Sequence, residues 1–298
     1  MPPRDMLLAL LPPILWATGY SIGKGALLHF QPLFTTAMMY AIAGVILYRP
    51  RLGLGTPLLW LLVMSVFACG LQSALIFFGI ALVDTSLANL VVQAQVPFAI
   101  LFAVLLGLER PNPLRMAGVV LAMLGIAMVV GWPRPGSTFL GLASILAGTA
   151  SWGLGQALIR MKARDAIRQL VGAMSLLAVP QLLVLSLLAE RDHKRLLVTA
   201  SAYEWFGVAF LGIGAFVLAY LLWYGLLARN RMDQVAPFAL LMPLVGMFNG
   251  VVFFDERLTP GFLFGAGLVL AGLVVTIITR DVRTAGEAPP RIGTPAGG

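Results

Sequence analysis

Residues 78–97 read FGIALVDTSLANLVVQAQVP, and residues 224–243 read YGLLARNRMDQVAPFALLMP. Aligned without a gap at an offset of 146, they share an aromatic-Gly pair at one end, Phe78-Gly79 and Tyr224-Gly225, and a proline at the other, Pro97 and Pro243. Outward from this block the match continues: Glu109-Arg110, Gly118 and Gly125 correspond to Glu256-Arg257, Gly265 and Gly272 at an offset of 147, and Trp16 and Lys24 to Trp152 and Arg160 at 136. Three blocks in the same order are the signature of an internal repeat. They divide the chain into a first unit, residues 1–135, and a second, residues 136–279. The remaining tail, 280–298, is rich in Gly, Pro, Ala and charge; it cannot bury a core and reads as a disordered cytoplasmic tail.

Composition sets the solvent of these units. Of the 298 residues 60% are hydrophobic and only 11% charged, far from the averages of a soluble domain. A membrane crossing takes about 20 apolar residues. Segments of that kind lie at 7–28, 32–48, 57–83, 86–107, 113–131, 139–161, 169–189, 203–228, 232–254 and 260–279, an all-α integral membrane protein of about ten helices, with counts of nine and eleven left open. With the N-terminus inside, the loops on that side hold fourteen Lys or Arg residues and the other side five, so positive charge puts both termini in the cytoplasm. The same distribution accounts for the net charge of +8 without nucleic acid, because no basic, aromatic-interleaved face exists. Cys69 is the lone cysteine and reads as a packing residue.

Five helices per unit is an odd number, so the two units enter the bilayer in opposite orientations. Inverted repeats of this kind are a hallmark of secondary transporters, with the substrate held near the midplane between the halves. From Leu7 to Thr279 the sequence resembles the EamA family of the drug/metabolite transporter superfamily. The resemblance rests on Trp16 with Lys24, on Ala88 to Gln95 running on to Glu109-Arg110, and on Val235-Ala236-Pro237 through Pro243 to Leu258. It is nearest the exporters of O-acetylserine and cysteine and, more distantly, of aromatic amino acids. The resemblance implies an inner-membrane exporter of amino acids or related small metabolites that uses no cofactor or metal and has the lipid bilayer as its surroundings. The oligomeric state is open, with a monomer favoured.

Polar groups inside a membrane helix are costly and mark candidate sites. Trp16, Tyr20 and Lys24 are spaced four apart and share one helix face, and Trp152, Gln156 and Arg160 form the matching face in the second unit. Two such stripes suit a cavity that stacks on an apolar side chain and binds a carboxylate; alternatively, Lys24 and Arg160 snorkel to opposite interfaces as anchors. Asn89 and Gln93 share a face of the fourth segment, and Gln72, Tyr220, Tyr224 and Asn249 are further candidates for cargo binding. Interhelical hydrogen bonding, worth ~0.6 kcal/mol per pair, is the competing role for the amides. Pro97 and Pro243 each remove a backbone donor, giving either a hinge for alternating access or a fixed kink. Glu109-Arg110 and Glu256-Arg257 fall at segment ends and read as interfacial structure. Gly118 with Ala122, and Gly261 with Gly265, form small-residue faces for close helix packing inside the chain or, alternatively, for a contact between two copies.

An enzyme at membrane depth needs a nucleophile, a base or a metal set, and His29, His193 and Cys69 supply none. Pumps for lipophilic cations in the same superfamily carry a carboxylate within the first helix; between Leu7 and Leu28 the only charge is Lys24, which favours anionic or zwitterionic cargo. No Asp, Glu or His falls in the middle of any segment, so the expectation is facilitative rather than proton-driven export.

Overall fold

The computed structural model describes residues 1–27, 29–131 and 137–279; Leu28, Arg134 and the tail 280–298 lie outside the described residues. Ten apolar helices follow one another: α1 Pro3–Ala26, α2 Pro32–Leu47, α3 Leu58–Leu82, α4 Thr85–Leu105, α5 Pro113–Val130, α6 Ser137–Lys162, α7 Ile167–Ala189, α8 Ala202–Leu227, α9 Ala236–Phe254 and α10 Pro260–Ile278. Among the described residues, nine of these are long and apolar enough to cross a membrane; α2, with 16 residues, spans only about 24 Å at 1.5 Å per residue. Their starts are written locally. Proline occupies the first turn of α1, α2, α5 and α10, where its missing N–H has no intrahelical acceptor in any case. Asn112, Ser201 and Thr259 cap α5, α8 and α10 through side-chain oxygens. The first helix begins four residues earlier than its apolar run, and a short helix, His193–Thr199, occupies the charged stretch after α7.

Four helices are irregular, at repeat-equivalent places. α4 passes through a 3-10 turn at Val92–Ala94 before Pro97, and α9 through one at Ala236–Leu240 before Pro243. A proline ring clashes with the carbonyl four residues earlier, here Gln93 and Ala239, which lie within those turns. α3 and α8 each contain a π-helical stretch, Val66–Gly70 and Phe210–Leu218, whose positions overlap under the 146 offset.

The repeat units exchange partners. α1 packs against α8 and α9, whereas α6 packs against α3 and α4, so the first helix of each unit is seated in the other unit. The flanks are pairs of equivalent helices, α2 with α7 and α5 with α10. At the α5–α10 seam a Cβ on Gly118 would lie 2.9 Å from the Gly272 carbonyl oxygen, and one on Gly125 2.7 Å from that of Gly265. The equivalents meet crosswise, as a two-fold relation between antiparallel helices requires. The small-residue faces thus serve internal packing, although a Cβ at Gly261 would meet nothing within 4 Å.

Carboxylates of the second unit also cap helices of the first. Asp165 accepts from Gly55 (2.6 Å) and Thr56 (3.0 Å) just before α3, and Glu190 from Leu33 (2.7 Å) and Phe34 (3.0 Å) at the start of α2. Unpaired helix N-termini attract negative charge. At Asp165 burial works to raise the carboxyl, but hydrogen bonds from Thr56 and Gly55 outweigh it and hold the group below its usual range. Below, the face carrying the start of α1 and the end of α10 is the terminal face; the other is the Lys24 face.

Candidate functional site

An aromatic wall runs where α1 of the first unit meets α8 of the second. Trp16 meets Tyr220 edge-on at 5.8 Å and Trp223 at 5.5 Å; Tyr220 stacks on Phe216 at 4.7 Å and neighbours Tyr224 at 5.8 Å. Tyr20, one turn along α1, packs edge-on against Phe77 of α3 at 6.0 Å. Trp152 of α6 lies beside the Tyr220 hydroxyl, so the stripe of α6 approaches that of α1 through α8. Tyr40 and Ser73 share a hydroxyl–hydroxyl bond of 2.6 Å, and Ser73 donates to Gln72 at 2.9 Å. Gln156 stands half-buried one turn beyond Trp152. Trp16, Tyr20, Trp152, Tyr220 and Tyr224 are half-buried as well, offering ring faces to an apolar group and polar tips to a charged one.

The other candidates gather where α4 meets α9, toward the Lys24 face. Asn89, Gln93 and Asn249 are buried. Asn89 donates to the Thr85 carbonyl at 3.0 Å, Gln93 to that of Asn89 at 3.4 Å, and Asn249 to Ser21 at 3.1 Å and Thr18 at 3.5 Å. Gly246 lies against the Asn89 side chain and Gly250 against Ser86, so the two backbones approach closely. Lys24 donates to the Val83 carbonyl at 2.6 Å and lies 5.6 Å from the Phe254 ring centroid. Glu256 accepts from the α4 N-terminus, from Thr85 at 2.5 Å and Ser86 at 2.8 Å. Pro97 and Pro243 are both buried.

The terminal face is arranged differently. Glu109, the repeat equivalent of Glu256, is bound by Arg115 and by Arg160 (2.6 Å). Burial tends to raise its carboxyl, but the Arg115 charge and hydrogen bonds from Arg160 and Arg115 prevail and hold it below the usual carboxylate range. Asp5 ties the start of α1 to the end of α8 through Asn230 (2.7 Å) and Arg229 (3.4 Å). A cavity of about 240 Å³ between α2, α7 and α8 is lined by Tyr220, Tyr224 and Gly225, with Arg168 at its rim. Sequence reasoning passed over Phe216, Trp223, Tyr40, Ser73 and Asp5; the adjacent Trp223-Tyr224 pair and the acidic residue in the first turn of α1 were the available signals.

The sequence profile described as the EamA-like transporter family matches residues 4–131 and again 139–278. A Salmonella typhimurium protein named "Probable amino-acid metabolite efflux pump" is 29% identical, over 94% of this chain and 97% of its own length. An Escherichia coli K12 protein with the same name is 28% identical, over 92% and 95%. Protein PecM of Dickeya dadantii is 25% identical, over 88% and 89%. One solved structure shares the fold, with a TM-score of 0.65 at 20% identity, covering 92% of this chain and 98% of its own. With the profile spanning both repeat units, the chain belongs to the EamA-like transporter family.

Proposed function

We propose that the protein is a secondary transporter that exports amino acids or closely related small metabolites across the inner membrane by alternating access, and that transport is facilitative. The observation that carries the reading is the set of ring contacts that Trp16 of the first unit makes with Tyr220 and Trp223 of the second, with Trp152 beside Tyr220, which joins helices of both units around half-buried aromatic faces and polar tips. It suits an amino acid side chain together with its charged groups, and it agrees with the efflux role named for the relatives. The repeat units, 1–135 and 136–279, act as the two halves of the carrier. The Lys and Arg distribution favours both termini in the cytoplasm, and on that reading the Lys24 face, where α4 packs on α9, is the external one. Facilitative transport follows from the lack of Asp, Glu or His at mid-span in the sequence, since such groups form the usual proton relays.

The test is flux of a panel of labelled amino acids from loaded proteoliposomes, with and without an imposed pH gradient. Trp152→Ala and Gln93→Ala should each lower export severalfold without loss of membrane insertion. Unchanged flux in both variants would refute the site, and uphill accumulation driven by the pH gradient alone would refute facilitation. The largely apolar cavity between α2, α7 and α8 favours a second reading, efflux of lipophilic compounds, so the panel includes an uncharged aromatic solute.

A further inference from the structure

The α4–α9 junction has an internal contradiction. Thr85 Oγ1, Ser86 Oγ and Asn89 Oδ1 are buried without a hydrogen-bond partner, and the three residues are 1%, 2% and 0% exposed. Asn89 lies three and four residues beyond Ser86 and Thr85, so the group sits on one side of the first turns of α4, where Gly246 of α9 presses on Asn89 and Gly250 on Ser86. A buried polar group left unpaired is costly, so a face carrying three of them is poorly suited to permanent burial. Glu256 compensates at the same place, its carboxylate accepting both N–H groups at the start of α4 across the boundary between the units. Lys24 fastens the chain two residues upstream through the Val83 carbonyl.

The repeat relation supplies the other half of the argument. Glu109 corresponds to Glu256, Arg160 to Lys24, and Arg231-Met232 just before α9 to Thr85-Ser86 at the start of α4. Glu256 here spans the two units to cap α4, whereas Glu109 is held by Arg115 and Arg160. α4 and α9 meet through Thr85–Val91 and Leu241–Phe254, toward the Lys24 face.

We infer that Glu256 and Glu109 are two mutually exclusive latches of the transport cycle. Glu256 on the N-terminus of α4 closes the Lys24 face in this state. Glu109 on the corresponding turn before α9 closes the terminal face in the opposite state. Release of Glu256 uncovers Thr85, Ser86 and Asn89, which then line the vestibule that opens at the Lys24 face and meet water or cargo with the oxygens now unpaired. The inference rests on the alternating-access reading above, but not on the identity of the cargo.

The experiment measures two spin-label distances in lipid without substrate, in a Cys69→Ser background. One pair, Asp84→Cys with Arg257→Cys, spans α4 and α9 at the Lys24 face; the other, Arg110→Cys with Gln234→Cys, spans them at the terminal face. Glu256→Gln should increase the long-distance population of the first pair at least threefold and the short-distance population of the second in parallel. Adding Glu109→Gln should reduce that new short-distance population at the terminal face. Distances unchanged by Glu256→Gln would overturn the inference. So would lengthening at the Lys24 face without shortening at the terminal face, because that is loosening of a cap and not exchange between two latches. Reciprocal exchange together with absent amino-acid flux would sink the cargo assignment and leave the latches standing.

Discussion

Replacing Gly125 by alanine tests whether the α5–α10 seam is a rigid internal joint. A Cβ there would lie 2.6 Å from the Val269 amide nitrogen and 2.7 Å from the Gly265 carbonyl oxygen, both backbone atoms that cannot rotate away. Comfortable contact begins near 3.5 Å, so the helices must separate by several tenths of an ångström, and overpacking of this kind costs about 1–3 kcal/mol. Gly267 on α10 is the control: it is exposed, and a Cβ there meets nothing within 4 Å. Both changes gain the same helix propensity, about 0.5–1 kcal/mol, so the difference between the variants isolates the seam. At ~2 °C per kcal/mol, Gly125→Ala should melt about 2–6 °C below Gly267→Ala. Tryptophan fluorescence melts of detergent-solubilised protein measure this, repeated after tenfold dilution. Equal melting temperatures would refute the internal joint, and a gap that changes on dilution would make the seam a contact between copies.

Two further outcomes follow from a capping carboxylate, Asp165, and an ion-paired one, Glu109. Asp165→Ala should remove the cap before α3 at a cost of about 1 kcal/mol, with faster amide exchange at Gly55 and Thr56 as the direct readout. The depressed carboxyl of Glu109 gives a pH signature: its pairing stabilises the fold fully above the ordinary value of 4.5 and is lost as pH falls from there through the lowered native value. The stability gap between the parent and Glu109→Gln should therefore be present at neutral pH and close on acidification; a gap independent of pH would contradict the ion pairs.

Local pattern accounts for what could be read in advance. Apolar runs located the ten helices, because burial in lipid is written along each run; the prolines and the Asn, Ser and Thr caps that fix their exact starts emerge in the structure. The repeat located both prolines, read as hinge or kink; the 3-10 turn that precedes each was not foreseen. The stripe from Trp16 to Lys24 was legible as a helix face, yet its two ends serve different structures: Trp16 joins the aromatic wall and Lys24 the α4–α9 junction. What escaped the sequence is long-range pairing. Glu109 stands beside Arg110 in the chain but binds Arg115 and Arg160, and Glu256 stands beside Arg257 but caps a helix 170 residues away. No spacing rule reaches across that separation. The π-helical stretches in α3 and α8 have no proline to announce them either.

The exchange of first helices has a consequence for biogenesis. As the chain leaves the ribosome, α3 and α4 reach the bilayer before α6, the helix they pack on, has been synthesised, and α1 waits longer still for α8 and α9. The amino-terminal half therefore dwells in the membrane with unfilled helix faces until the carboxyl-terminal half arrives. A chain cut between α5 and α6 yields two fragments that each hold the other's missing helix. Expressed together, they should protect one another from quality-control proteolysis, whereas either alone should be degraded.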